Sequence, residues 1–134
     1  DYLTTSDAVT STGVGVVGFC MGGGLAIWLA TTRPEIAAAV PFYGAIPWEG
    51  VDPDLTATRA SFLGHYAEND DWATMESARE IEATLRSLGH RAEFHLYKGT
   101  EHAFFNDTRP EVYDAEAANL AMMRTVEFLN ETLL

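Results

Sequence analysis

The chain has 134 residues, of which 47% are hydrophobic and 11% aromatic, and this composition suits one globular domain with a buried core. Eight Lys and Arg residues stand against twenty Asp and Glu residues, which gives a formal net charge of −12. Because the basic residues are scattered along the chain, composition argues against nucleic acid and anionic membranes as partners and favours a small molecule.

Strands and helices are predicted to alternate along the first two thirds of the chain. Residues 1–9 are predicted to be the tail of a helix, and Val14–Phe19 is an apolar, β-branched run typical of a strand that is buried on both faces. A helix follows over residues 25–30 and ends at Arg33-Pro34, because proline cannot continue it. Further apolar runs predict strands at residues 37–43, 60–66 and 92–97.

Two amphipathic helices are predicted in the rest of the chain. Residues 74–88 space their apolar side chains three and four apart, and Gly89 follows as a C-cap. A last helix begins near Asp114, which is its predicted N-cap. Strands that alternate with helices predict a parallel sheet with flanking helices, so the fold class is α/β and residues 1–134 form one domain.

The segment Gly18-Phe19-Cys20-Met21-Gly22 lies between the first strand and a helix, which is the context of a nucleophile elbow. Such a turn strains the backbone, and we expect Gly18 and Gly22 to make room for it. The sequence also places Cys20 at the positive, N-terminal end of the helix dipole. The alternative is that Cys20 is a buried structural cysteine and that the glycines only form a tight helix entry.

A nucleophile of this kind needs a base and a carboxylate that orients it. His102 is the predicted base, since it alone among four histidines lies in a glycine-bearing loop after a strand. His65 and His95 fall within strands, and His90 lies at a helix end. The loop after the third strand leaves the same sheet edge, and its three carboxylates are equivalent candidates: Glu68, Asp70 and Asp71.

Four motifs resemble the dienelactone hydrolase family of α/β-hydrolases: VGVVGFCMGGGLA at the elbow, PFYG at the end of the second strand, HYAENDD at the acid loop, and KGTEHAFFNDTRPEVYDAEAA around the histidine. The resemblance covers nearly the whole chain. It implies hydrolysis of a carboxylic ester or lactone through a thioester, in which Cys20 attacks the carbonyl, His102 moves the proton and Asp70 holds the imidazole. It also implies one oxyanion donor, the backbone N–H of Met21, and no metal or organic cofactor.

The resemblance implies only the C-terminal part of such a fold, a partial domain of about four strands without the N-terminal ones. The second oxyanion donor and the acidic residue that the family uses to control the thiol belong to that missing part. We expect an apolar edge at Val14–Phe19, covered by a second copy of the chain, a separate N-terminal polypeptide or further residues.

Two other functions remain as alternatives. In the first alternative, the chain is a non-catalytic module that keeps the triad residues and oligomerises. In the second, it carries out thiol redox chemistry, which a single cysteine disfavours. One cysteine cannot form an internal disulfide and no apolar run is long enough to span a membrane, so the default predicted location is cytoplasmic.

The substrate pocket is predicted to differ from that of family members that open dienelactone. Those members bind the substrate carboxylate with an arginine four residues after the histidine, where this chain has Asn106, and Arg109 lies three residues further on. This difference argues against dienelactone itself as the substrate. Predicted pocket residues are Phe104, Asn106 and Arg109, and further aromatic candidates are Phe105, Trp48 and Trp72.

Overall fold

Eight helices and strands follow one another in the computed structural model, which describes residues 2–10, 13–46 and 50–134. They are α1 (Tyr2–Thr5), β1 (Val14–Phe19), α2 (Met21–Thr32), β2 (Ile36–Phe42), β3 (Ser61–Asn69), α3 (Met75–Ser87), β4 (Ala92–Glu101) and α4 (Ala115–Leu133). The order of elements agrees with the sequence prediction. No helix in these ranges is long and apolar enough to cross a membrane.

The four strands form one parallel sheet in the order β1-β2-β3-β4. The predicted α/β class with a parallel sheet is therefore confirmed. β3 and β4 continue past their predicted apolar runs, and their pairing reaches Asn69 opposite Glu101. This extension was missed because backbone hydrogen bonds hold the strand ends together whatever the polarity of the side chains.

Helices cover both faces of the sheet. On one face, Gly15 of β1 lies close to Leu129 and Leu133 of α4, and His65 of β3 forms a hydrogen bond with Thr125 of the same helix. On the other face, α2 packs on β1 and β2. β2 lies in the middle of this arrangement, and nearly all of its residues are buried.

The two edge strands of the sheet, β1 and β4, differ in how they are covered. At the β4 edge, Glu82 of α3 accepts a hydrogen bond from the backbone N–H of Phe94, and Arg86 donates one to the carbonyl oxygen of Ala92. These side chains form hydrogen bonds with backbone groups that an edge strand otherwise leaves unpaired. At the β1 edge, the apolar side chains of Val17 and Phe19 are exposed. The exposed Val17 and Phe19 agree with the apolar edge expected at β1, whereas β4, which also exposes Leu96, has backbone groups covered by α3.

Candidate active site

The turn between β1 and α2 holds Cys20 in a strained backbone conformation, with φ 55° and ψ −119°. The backbone N–H of Cys20 donates to the carbonyl oxygen of Phe42 at 3.0 Å, which ties the turn to β2. A Cβ atom on Gly18 would lie 1.9 Å from the carbonyl oxygen of Gly22, whereas one on Gly22 would meet nothing within 4 Å. The prediction that small residues make room for the turn is right for Gly18 and wrong for Gly22.

The next two glycines serve the packing of α2. A Cβ atom on Gly23 would lie 2.7 Å from the Cα of Gly44, and one on Gly24 would lie 2.0 Å from the carbonyl oxygen of Ala45. Glycine therefore lets the start of α2 approach the backbone of the loop after β2. This contact places the N-terminal end of the helix, and Cys20 with it, beside the carboxyl end of β2.

His102 and Asp70 form a hydrogen-bonded pair at the same edge of the sheet. Nδ1 of His102 lies 2.6 Å from Oδ2 of Asp70, whose side chain is only 1% exposed. The other carboxylate oxygen accepts the backbone N–H groups of Trp72 and Ala73 at 2.9 and 2.8 Å. Both oxygens are thus fixed, and with the proton on Nδ1 the pair leaves Nε2 of His102 free to act as a base.

Two aromatic rings fix the orientation of the imidazole. The ring of Tyr43 lies 4.9 Å from that of His102 and the ring of Trp72 lies 5.4 Å from it, both edge-on. The side chain of His102 keeps 29% of its surface exposed. It can therefore exchange protons with a substrate while its plane is held.

The other two candidate acids lie in different surroundings. The carboxylate of Glu68 accepts the backbone N–H of Gly99 at 2.8 Å, and Asp71 is exposed. Within the described ranges, Asp70 is the one carboxylate of this loop that contacts His102. The geometry thus separates three residues that the sequence by itself left equivalent.

A cavity of about 400 Å³ opens beside the thiol. Besides Cys20, its lining consists of Phe19, Tyr43, Ala103, Phe105, Asn106 and Asp107. In the described part of the chain, three non-glycine residues have positive φ angles, and all three line this cavity: Cys20, Tyr43 and Ala103. Strained backbone that converges on one cavity is typical of a functional site.

Tyr43 lines the cavity together with Cys20, and its ring contacts the imidazole of His102. It follows directly after β2, and its ring is nearly buried beside His102. Burial, and to a lesser degree the neighbouring Cys20, raises the pKa of Tyr43 to about 12, so the phenol stays protonated and can donate a hydrogen bond. Sequence reasoning missed this residue, although its place in the PFYG motif at the end of a strand was a usable signal.

The predicted pocket residues separate into two groups. Asn106 and Phe105 line the cavity beside Cys20. Phe104 does not, since it is 0% exposed and packs against the rings of Tyr43 and Tyr97. Its position in the pocket is therefore corrected: Phe104 anchors the loop after β4 in the core, which directs the next residue, Phe105, towards the cavity.

Two further predicted pocket residues lie elsewhere. Arg109 forms an ion pair with Glu111 at 3.0 Å and is not part of the cavity lining, which corrects its assignment to the pocket. Trp72 contacts His102 instead of the cavity. Trp48 lies outside the described residues. In the ranges that are described, no group of three or more His, Cys, Asp and Glu side chains is arranged to hold a metal ion.

A parallel α/β sheet that carries a strained strand–turn–helix at Cys20 and a histidine–carboxylate pair at its carboxyl edge is typical of the class of α/β-hydrolase folds. The family model described as "Dienelactone hydrolase family" matches residues 1–133. The chain therefore belongs to the dienelactone hydrolase family.

Individual relatives agree with this assignment. The chain is 33% identical to "Protein usf" of Aquifex pyrophilus over 99% of its own length and 57% of that protein. It is 36% identical to a "Putative carboxymethylenebutenolidase" of Saccharolobus solfataricus over 96% of its length and 49% of that protein. A solved dienelactone hydrolase-like promiscuous phosphotriesterase from metagenomic libraries shares the fold, with a TM-score of 0.81 and 22% identity over 98% of this chain and 57% of that one. The chain thus spans about half the length of the curated relatives it matches.

Proposed function

We propose that this chain carries the catalytic part of a hydrolase that cleaves a carboxylic ester or lactone through a thioester, with Cys20, His102 and Asp70 as its triad. The observation that carries the proposal is the 2.6 Å hydrogen bond between His102 and the buried Asp70, at the same sheet edge as the strained turn at Cys20. Family membership supports the same chemistry.

In the first half of the reaction, His102 takes the proton of the Cys20 thiol, and the sulfur attacks the carbonyl carbon of the substrate. The carbonyl oxygen then becomes negatively charged. Met21 is the first residue of α2, so its N–H has no acceptor within the helix and is suited to stabilise that oxygen. When the bond to the leaving oxygen breaks, His102 gives its proton to that oxygen, and the acyl group remains on Cys20 as a thioester.

In the second half, water replaces the sulfur. His102 takes a proton from a water molecule whose oxygen bonds to the acyl carbon, and the carbon–sulfur bond then breaks. The carboxylic acid leaves, and the thiol regains its proton from His102. In both halves the carboxylate of Asp70 stabilises the imidazolium form, while the N–H groups of Trp72 and Ala73 keep that carboxylate in place.

The test is hydrolysis of p-nitrophenyl acetate by the 134-residue chain and its folded variants. We expect Cys20→Ala to reduce the rate to background, because no nucleophile remains. Asp70→Asn should lower kcat/KM by about 10²-fold to 10⁴-fold, because the amide favours the wrong tautomer of His102. The matched control Asp71→Asn, at an exposed neighbouring carboxylate, should leave kcat/KM unchanged.

Two results would contradict the proposal. Equal rates for the wild-type chain and Cys20→Ala would show that the thiol does no chemistry. Equal losses in Asp70→Asn and Asp71→Asn would show that the His102–Asp70 bond has no particular role. Circular dichroism of each variant separates loss of chemistry from loss of folding.

A further inference from the structure

Among the described residues that line the cavity beside Cys20, one carries a formal charge, and that charge is negative. Asp107 supplies it, while the remaining lining residues are aromatic, small or an amide. None of the eight Lys and Arg residues of the chain belongs to this lining. A substrate carboxylate placed here would meet the like charge of Asp107, and the described lining offers no Lys or Arg that could pair with it.

The nearest basic residue along the chain is already paired. Arg109 lies two positions after Asp107, but its guanidinium forms an ion pair with Glu111 at 3.0 Å. The net charge of −12 adds a long-range repulsion of anions to this local effect. The apolar side of the cavity, formed by Phe19, Tyr43 and Phe105, suits uncharged hydrocarbon groups.

We propose that the Cys20 cavity accepts uncharged acyl groups and rejects those that carry a carboxylate, with Asp107 as a specificity-determining residue. The inference rests on the proposed function, because it assigns the substrate class of the same thiol site. Asn106 lies beside Asp107 in the lining and can donate a hydrogen bond to an uncharged carbonyl or ether oxygen, which fits the same preference.

The test uses alkylation of Cys20, which reads the charge preference without requiring hydrolysis. Cys20 is the only cysteine, so the mass of the intact protein reports its modification alone. Iodoacetamide and iodoacetate have similar size and differ in charge. The rate constant for iodoacetamide is divided by that for iodoacetate, and this ratio is divided by the same ratio for a small free thiol to give the normalised ratio. We expect a normalised ratio of about 3 to 10 at low ionic strength, in favour of iodoacetamide.

Two variants assign the effect to Asp107. Asp107→Asn should lower the normalised ratio by about threefold, and the effect should shrink with added salt because this carboxylate is exposed. Glu127→Gln removes the same charge from a different cavity, which α4 lines, and should leave the ratio close to that of the wild-type chain.

The inference is overturned by a wild-type ratio equal to that of the free thiol, or by equal ratios in Asp107→Asn and the wild-type chain. Failure of the proposed function would instead appear as absent ester hydrolysis with the alkylation preference intact. The two failures are therefore distinguishable.

Discussion

The turn at Cys20 can form because Gly18 has no side chain. Its Cα faces the carbonyl oxygen of Gly22, and the 1.9 Å separation that a Cβ would have from that oxygen cannot be relieved by rotating a side chain. Gly22 has no such neighbour within 4 Å. Two glycines that look equivalent in the motif thus have different physical roles.

This difference predicts that alanine has opposite effects on stability at the two glycines. Gly18→Ala should lower the free energy of unfolding by at least about 3 kcal/mol, because the backbone of the turn must move. Gly22→Ala lies in the first turn of α2 and should change stability by less than about 1 kcal/mol, in the stabilising direction. Urea unfolding measures both, and equal losses would contradict the assignment.

At the scale of elements, β3, β4 and α4 are joined through the buried His65. Its Nδ1 lies 2.8 Å from the hydroxyl of Tyr97 on β4, and its Nε2 lies 2.9 Å from the hydroxyl of Thr125 on α4. The ring is 0% exposed, and burial first, then the nearby His95 and Arg124, lowers its pKa from 6.5 to about 3. At a pH between these two values, His65 is therefore neutral in the folded chain and protonated in the unfolded chain.

The pH dependence of stability follows from this difference. Above pH 6.5 His65 is neutral in both states and contributes no dependence on pH. As the pH falls from 6.5 towards 3, the unfolded state binds a proton that the folded state does not, so the free energy of unfolding should fall by about 1.4 kcal/mol per pH unit.

Replacing His65 should remove this contribution. His65→Gln is expected to be less stable at pH 7 and to show a flatter pH dependence between pH 6.5 and 5 in urea unfolding. His90→Gln, outside the core, controls for the loss of a histidine as such. An unchanged slope in His65→Gln would show that another group causes the acid sensitivity, of which the nearest is His95, whose pKa burial also lowers.

At the scale of the whole molecule, the unequal edges of the sheet predict how the chain associates. Glu82 and Arg86 cover backbone groups of β4, whereas β1 exposes Val17 to 41% together with Phe19. An uncovered apolar edge strand is a template for pairing with another chain. The predicted partner at this edge, whether a second copy or a separate polypeptide, remains a prediction.

We expect the purified chain to self-associate through β1, and light scattering over a concentration series measures this. Val17→Lys should weaken the association about tenfold, because a charge would be buried at the contact. Leu96→Lys places the same charge at an exposed position of β4 and should associate as the wild-type chain does. A wild-type chain that stays monomeric at every concentration would contradict the prediction.

The sequence by itself determined the class of fold, the order of elements and the place of the elbow. Periodicity reports how each segment is buried, so the parallel sheet followed from apolar runs that alternate with helical patterns. His102 was singled out as the candidate base because it alone among the histidines follows an apolar run and a glycine, and the structure places it directly after β4. The boundaries were less accurate, since β4 continues through polar residues to Glu101.

Only the tertiary structure decided which neighbouring side chains meet. Asp70 and Asp71 have the same chemistry, and the hydrogen bond to His102 distinguishes them. Phe104 and Phe105 are adjacent and equally apolar, yet one is buried in the core and the other lines the cavity. The physical reason is that the site is assembled from loops after four different strands, and the direction of a loop side chain depends on contacts with residues distant in sequence.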